Sequence, residues 1–333
     1  VVVELIINTP SRLHLTLIDL NGERGRLDGG VGITIKEPEL VIRAEESDAT
    51  MVKFPHDTSE ALQREYASKI GDAAERTLKY LGSDEHFLFS VEEMFPSHSG
   101  LGSGTQIALA TARLIAEHHE VELNAEELAR IVGRGGTSGI GVASFEYGGF
   151  IVDAGHSRKE KKDFLPSSAS TASPPPVIAR YEFPEDWKII IAIPDIDRSV
   201  SGRREVNIFQ EYCPLPLSEV EKLSHIILMK MMPAVLEGDI ESFGESVNEI
   251  QTTGFKKIER ELQDPLIDRI IDNMISAGAH GAGMSSFGPA VYAVTDENPG
   301  DVLGAAREAM PGGQAFITGG RNSGAMIGKG GIP

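Results

Sequence analysis

The stretch PSHSGLGSGTQIALATARLIAEHH, residues 96–119, constrains this chain most. Gly100, Gly102 and Gly104 free the backbone for positive φ and for close approach to a ligand. The apolar spacing that follows predicts a helix over 104–119, whose unpaired N–H groups and dipole attract an anion. Ser103 and Thr105 add hydroxyl donors, and the phosphate-binding set reads as Ser99, Gly100, Gly102, Ser103, Gly104, Thr105 and Gln106. The spacing matches neither G-x-x-x-x-G-K-S/T nor G-x-G-x-x-G, so the two commonest nucleotide loops are excluded. A glycine-rich helix cap without a ligand is the competing reading.

The other constraints are broader. The 333 residues suffice for two medium cores, and two lobes are expected. A net charge of −19 would repel a nucleic acid over most of the surface. Cys213 has no second cysteine to pair with, which fits a reducing compartment, and it reads as structural rather than nucleophilic. The opening VVVELIINTP has neither the basic flank of a signal peptide nor the length of a membrane span. It reads as a buried strand ended by Pro10. A soluble, cytoplasmic protein with no membrane or nucleic-acid partner is expected.

Along the chain, SRLHLTLIDLNGERGRLDGGVGITI alternates on either side of Asn21-Gly22 as a strand, a turn and a second strand. Helical spacing covers 57–82, HFLFSVEE follows as a strand, and helices are expected at 104–119 and 125–133. A glycine-rich stretch, GRGGTSGIGVASFEYGG, leads to the strand FIVDAG. Residues 157–180 form the sharpest break in composition, charged, then rich in Ser and Ala, then three prolines, and read as a linker or flap. Beyond it come the strand WKIIIAIP, two helical stretches within 217–262, a third at 265–278 and a glycine-rich strand region. GAHGAGMSSFGPAVYAV sets Gly281, Gly283 and Gly288 around Ser285 and Ser286, as a second anion-contacting turn would.

The order TPSRLHLTLIDL, PSHSGLGSGTQIA, GAGMSSFGPAVY resembles the three motifs of the GHMP small-molecule kinases. That resemblance implies an α+β fold in two lobes: a ribosomal S5 domain 2-like lobe over 1–156 and a ferredoxin-like lobe over 181–333, with phosphate on the second-motif loop. The kinase chemistry transfers less well. Many of these kinases carry S-G-I/V-D, with the aspartate near the acceptor hydroxyl and a metal-binding glutamate eleven residues earlier; here Ser138-Gly139-Ile140-Gly141 and Arg130 stand instead. Phosphoryl transfer depends on metal neutralisation and on orienting the acceptor, so an ATP-dependent metabolite kinase is the second reading.

The blocks GGFIVDAGHSRKEKKDFLPSSASTASPPP, YEFPEDWKIIIAIP and EVNIFQEYCPLP are similar to a non-kinase branch, the archaeal-type β-ribofuranosylaminobenzene (β-ribofuranosylphenol) 5'-phosphate synthases of methanopterin biosynthesis. The likeness implies a glycosyltransferase that joins phosphoribosyl pyrophosphate to 4-hydroxybenzoate or 4-aminobenzoate, releasing pyrophosphate and carbon dioxide. It further implies Mg2+, no pyridoxal phosphate, and a homodimer.

Such chemistry needs cations for a departing polyanion and carboxylates for a cationic ring. Arg12, Arg26, Arg130, Arg134, Arg203, Arg204 and Arg321 are anion candidates, with Arg12 foremost because it interrupts an apolar strand; Arg204 beside Glu205 has the plainest surface reading. His14 lies on the face of Arg12 by alternation and could orient the benzoate. Asp19 and Asp28 are candidate catalytic carboxylates, with Asp195 and Asp197 behind them; each is equally a turn residue. Ser138, Ser285 and Ser286 complete the substrate-binding set. The metal ligands stay open. Adjacent His118 and His119 are discounted as a metal pair.

Overall fold

The computed structural model describes residues 4–96, 99–167, 169–196 and 203–330. Two long antiparallel strands organise the first lobe: β1 (Leu5–Asp19) and β2 (Arg26–Ser47), in register from Leu5 against Ala44 to Asp19 against Asp28. Pro10 does not end β1. The register shifts between Thr9 and Ser11, so the residue without an N–H sits at a bulge where the ladder is already broken. β3 (Met51–Lys53) and β4 (His86–Glu93) extend the sheet, while β5 (Phe150–Asp153), β6 (His156–Ser157) and β7 (Val177–Tyr181) join through β2 and β5.

Helices α1 (Glu60–Leu81), α2 (Ser103–His118) and α3 (Ala125–Val132) cover one face. Their apolar stripes, including Ile70, Leu109, Leu114 and Leu128, close a core against Ile42, Phe87 and Phe89. α4 (Ile140–Glu146) lies inside the stretch that reads as glycine-rich loop, because Gly141, Ala143 and Ser144 pack closely and leave little apolar periodicity to see.

The second sheet has the order β11–β8–β10–β9, all antiparallel, from β8 (Lys188–Pro194), β9 (Gly281–Met284), β10 (Val291–Thr295) and β11 (Gly313–Gly319). α5 (Arg203–Tyr212), α6 (Leu217–Ile226), a π-helical turn at Ile227–Met231, α7 (Met232–Glu237), α8 (Ile240–Ile250) and α9 (Gly254–Glu261) precede α10 (Pro265–Ser276) and α11 (Pro299–Ala309). One apolar cluster runs from Leu13 and Ile33 of the first sheet to Ile189, Ile191 and Tyr292 of the second, with Phe243 of α8 and Trp187 packed among them, so the sheets share a core. β12 (Met326–Lys329) then returns to pair with β1. No helix among the described residues is long and apolar enough to cross a membrane.

Candidate functional site

The three separated motifs meet where the lobes join. Arg12 donates its backbone N–H to Leu101 O at 3.1 Å and its Nη1 to Gly100 O at 2.5 Å. Ser285 Oγ accepts from His14 N at 3.0 Å and donates to Gly100 O at 2.9 Å, and Ser286 N donates to His14 O at 2.9 Å. Gly100 has φ 85°, and a Cβ there would stand 2.5 Å from Ser285 O, so the crossing of loop and turn admits only glycine. Gly102, at φ 89°, caps α2 without any side-chain hydrogen bond, leaving the first-turn N–H groups beside the loop.

At this junction is a cavity of about 170 Å³ whose wall includes Arg12, His14, Thr105, Ser138, Gly141, Glu205, Glu259 and Ser286. Buried Arg12 Nε and both ring nitrogens of His14 have no hydrogen-bond partner among the described residues. Burial draws the Arg12 pKa down to about 10, which leaves it charged at neutral pH. The same burial, with the charges of Arg12 and Lys256, holds His14 well below its ordinary value, so it is a neutral imidazole. Two polar groups with free hydrogen-bonding capacity thus face one small space.

Three further charges were not singled out by sequence. Lys256 is fully buried, donates to Ser286 O at 2.9 Å and pairs with Glu259. Glu205 is pushed up to about 7, by burial first and by the Glu259 charge second. The only readable signal was Lys256 and Glu259 at i, i+3, which on most helices is a surface pair; Glu205 was read only as a neighbour of Arg204.

The remaining candidates are dispersed. Ser138 lines the cavity while donating to Asp153 Oδ2 at 3.2 Å. Gln106 ties α2 to α4 by donating to Gly141 O at 2.8 Å, and Ser99 Oγ donates to Pro96 O. Asp19 Oδ1 accepts from Asn21 N and Gly22 N, both at 2.8 Å, as the turn-capping reading expects. Asp28, at φ 68°, accepts from His156 Nδ1 at 2.6 Å and Lys161 Nζ at 2.9 Å in a buried cluster and does not line the cavity. Arg26 donates to Ala154 O and Gly155 O; exposed Arg130 pairs with Glu126. Arg203 and Arg204 are exposed at the start of α5, Arg321 is buried against Glu39 at 2.8 Å, and Asp195 is exposed. Asp197 lies outside the described residues. His118 and His119 each direct Nε2 at Glu85, at 3.4 and 3.2 Å, yet no group of three metal-binding side chains occurs among the described residues.

Comparison with known proteins gives this geometry a family. Residues 66–149 match the GHMP kinases N terminal domain and 231–312 the GHMP kinases C terminal domain. The fold overlays L. major mevalonate kinase in complex with R-mevalonate with a TM-score of 0.71 at 15% identity, covering 95% of this chain and 96% of that one. Homoserine kinase from Cytophaga hutchinsonii gives 0.68 at 16% identity, covering 97% of each. At these identities the likeness is one of fold. The chain is 76% identical over 326 residues to a beta-ribofuranosylphenol 5'-phosphate synthase of Methanothermobacter thermautotrophicus, covering 98% of this chain and 99% of the relative. A protein of the same name from Archaeoglobus fulgidus is 49% identical over 298 residues, covering 90% of each. Identity of this extent across both lobes means that the chain belongs to the beta-ribofuranosylphenol 5'-phosphate synthase family.

Proposed function

We propose that this enzyme joins phosphoribosyl pyrophosphate to 4-hydroxybenzoate or 4-aminobenzoate in methanopterin biosynthesis, as a decarboxylating phosphoribosyltransferase. The observation that carries the reading is family membership over nearly the full chain, on a site where the acceptor-aspartate position of the kinases is Gly141. A glycine there offers an alcohol acceptor no carboxylate, which speaks against the kinase alternative.

In this reading the glycine loop and the open first turn of α2 bind a phosphate of the donor, with Arg12 beside them. The C–O bond to pyrophosphate breaks as positive charge grows on the ribose, and the Glu205 and Glu259 carboxylates favour that charge. The ring carbon bearing the carboxylate attacks, because a para hydroxyl or amino group raises electron density there. Its bond to the carboxylate then breaks, the electron pair restores the aromatic ring, and carbon dioxide leaves. Neutral His14 orients the benzoate through its free ring nitrogens, holding the ring near attack distance, roughly 3–3.5 Å.

Magnesium fits this site in a limited sense. Glu205 and Glu259 present two carboxylates against one lysine, and magnesium commonly takes one or two carboxylates with substrate phosphates completing its shell. When bound it would neutralise the departing pyrophosphate. No role is assigned to pyridoxal phosphate. A homodimer working in the cytoplasm completes the reading, and sedimentation of the purified chain tests the dimer.

With carboxyl-labelled 4-hydroxybenzoate, label should leave as carbon dioxide in a one-to-one ratio with pyrophosphate. Label retained in the product, or ATP-dependent phosphorylation of an alcohol in its place, overturns the reading.

A further inference from the structure

A second, larger cavity of about 590 Å³ lies among α1, the end of α3 and residues Ser167, Ala169, Ser170 and Thr171. Four cations line it. Two are already neutralised by neighbours one helical turn away, Lys69 by Glu65 and Arg130 by Glu126. The other two, Arg76 and Arg134, have no side-chain hydrogen bond or ion pair among the described residues; the one acid on the wall is Asp72, whose charge acts on Arg134.

Arg134 sits over the first turn of α2. A Cβ on Gly104 would meet its Nη1 at 3.5 Å, so the guanidinium rests on glycine backbone beside the loop. Arg76 rests likewise on Gly133, where a Cβ would be 2.9 Å from its Nη1. Both guanidiniums line the same cavity, where burial first and the Arg76 charge second lower the Arg134 pKa while Asp72 partly offsets them. Ser167 lines both this cavity and the one at the lobe junction. In a chain of net charge −19, these two arginines, with Asp72 the one acid on the wall to offset them, make a local positive site for an external anion.

We propose that Arg76 and Arg134 form an anion subsite that takes the terminal phosphate of the donor's diphosphate, beside the first turn of α2, with Ser167 linking the subsite to the cavity at the lobe junction. This rests on the donor assigned above. Two always-charged planar forks suit a diphosphate, which carries more charge and more acceptor oxygens than a single phosphate monoester.

The test is calorimetric titration with inorganic pyrophosphate and, separately, ribose 5-phosphate. Arg134→Gln and Arg76→Gln should each weaken pyrophosphate binding about tenfold and together about a hundredfold, as expected for loss of charge-assisted contacts. Ribose 5-phosphate affinity should stay the same. Arg64→Gln, an exposed α1 residue paired with Glu60 and outside the cavity, should change pyrophosphate affinity less than about twofold. Arg76 is exposed, so its variant should fold normally, which a melting curve checks. Unchanged pyrophosphate affinity in the double variant overturns the subsite, and selective loss of ribose 5-phosphate binding overturns its assignment to the diphosphate. Neither result depends on the labelled-benzoate outcome, so failure of the subsite and failure of the reaction are read separately.

Discussion

Two buried groups of charges in this protein have opposite hydrogen-bond balances. Around Asp28, His156 engages both ring nitrogens, Nδ1 with Asp28 and Nε2 with Ser173 O, and Lys161 Nζ reaches Asp28, Gly136 O, Thr137 Oγ1 and Leu165 O. Asp28 Oδ1 alone lacks a partner there among the described residues. At the lobe junction, among the described residues, His14 engages neither ring nitrogen, Arg12 leaves Nε free, and Glu205 sits beside a second carboxylate. Buried polar groups are normally satisfied. Where the fold satisfies them they hold the chain together, and where it leaves them unsatisfied around a cavity they await a ligand.

The largest effect should come from breaking the satisfied group. Lys161 is nearly fully buried and fastens residues 161–165 to the first lobe, within the stretch that composition marks as a linker or flap. Lys161→Met leaves the Asp28 carboxylate without its lysine, facing His156 alone, and should cost about 3–5 kcal/mol in stability. Chemical denaturation measures it. Pyrophosphate affinity of the fraction that folds should be unaltered; a variant as stable as the parent would dissolve the distinction between the two groups.

Arg12→Met reverses the pattern. It removes a desolvated charge as well as the bond to Gly100 O, so stability should change by no more than about 1 kcal/mol. Loss of a cation aimed at developing negative charge should lower kcat/KM by roughly 10²–10³-fold. Steady-state kinetics beside a melting curve decides the matter. A large drop in stability with unimpaired kinetics would move Arg12 into the structural group.

How legible this contrast was in the sequence depends on range. HFLFSVEE gives β4 residue for residue, and the turn at Asn21-Gly22 separates β1 from β2, because alternation and turn chemistry are local. Alternation also set Arg12 and His14 on one face, and both line the cavity. Nothing local tells that Asp28 meets His156 and Lys161 across more than a hundred residues, or that the Lys256–Glu259 pair of α9 faces the lobe junction rather than water. α5 and α11 leave no local signal for a related reason. Arg203–Tyr212 buries only Ile208 and Phe209, and Pro299–Ala309 is rich in Gly and Ala, so neither shows a broad apolar stripe.

A smaller effect sharpens the contrast through pH. Glu205 has a folded pKa raised to about 7 from an ordinary value of 4.5, so between those limits the folded chain keeps a proton that the unfolded chain has lost. Stability should therefore fall as pH rises through that window. Glu205→Gln removes this contribution and should be more stable than the parent above pH 7, on the order of 1–3 kcal/mol. Asp153, also raised to about 7 by burial, leaves a residual slope of the same sign. Melting temperature against pH for both proteins is the measurement. A destabilised variant would place Glu205 among the satisfied charges.

The smallest effect is expected at Cys213, which borders both regions. It packs with Leu17, Phe209 and Phe287, which also line the cavity, and it feels the charge of Asp28. Burial first and that charge second push its thiol up to about 12. At neutral pH the nucleophilic thiolate is then a negligible fraction. A covalent ribosyl–enzyme intermediate through this sulfur is unfavourable, and direct attack by the electron-rich ring does not require one. Cys213→Ser should keep kcat within about twofold, since no interaction made only in the transition state is lost. Its stability should fall by no more than about 1 kcal/mol, the usual scale for exchanging one weakly bonded group for a similar one. Iodoacetamide should label the native parent slowly at pH 7.5 and rapidly once it is unfolded. If the serine variant melted normally but had lost turnover, the sulfur would be a nucleophile, and the direct displacement described above would be wrong even with the substrates correctly assigned.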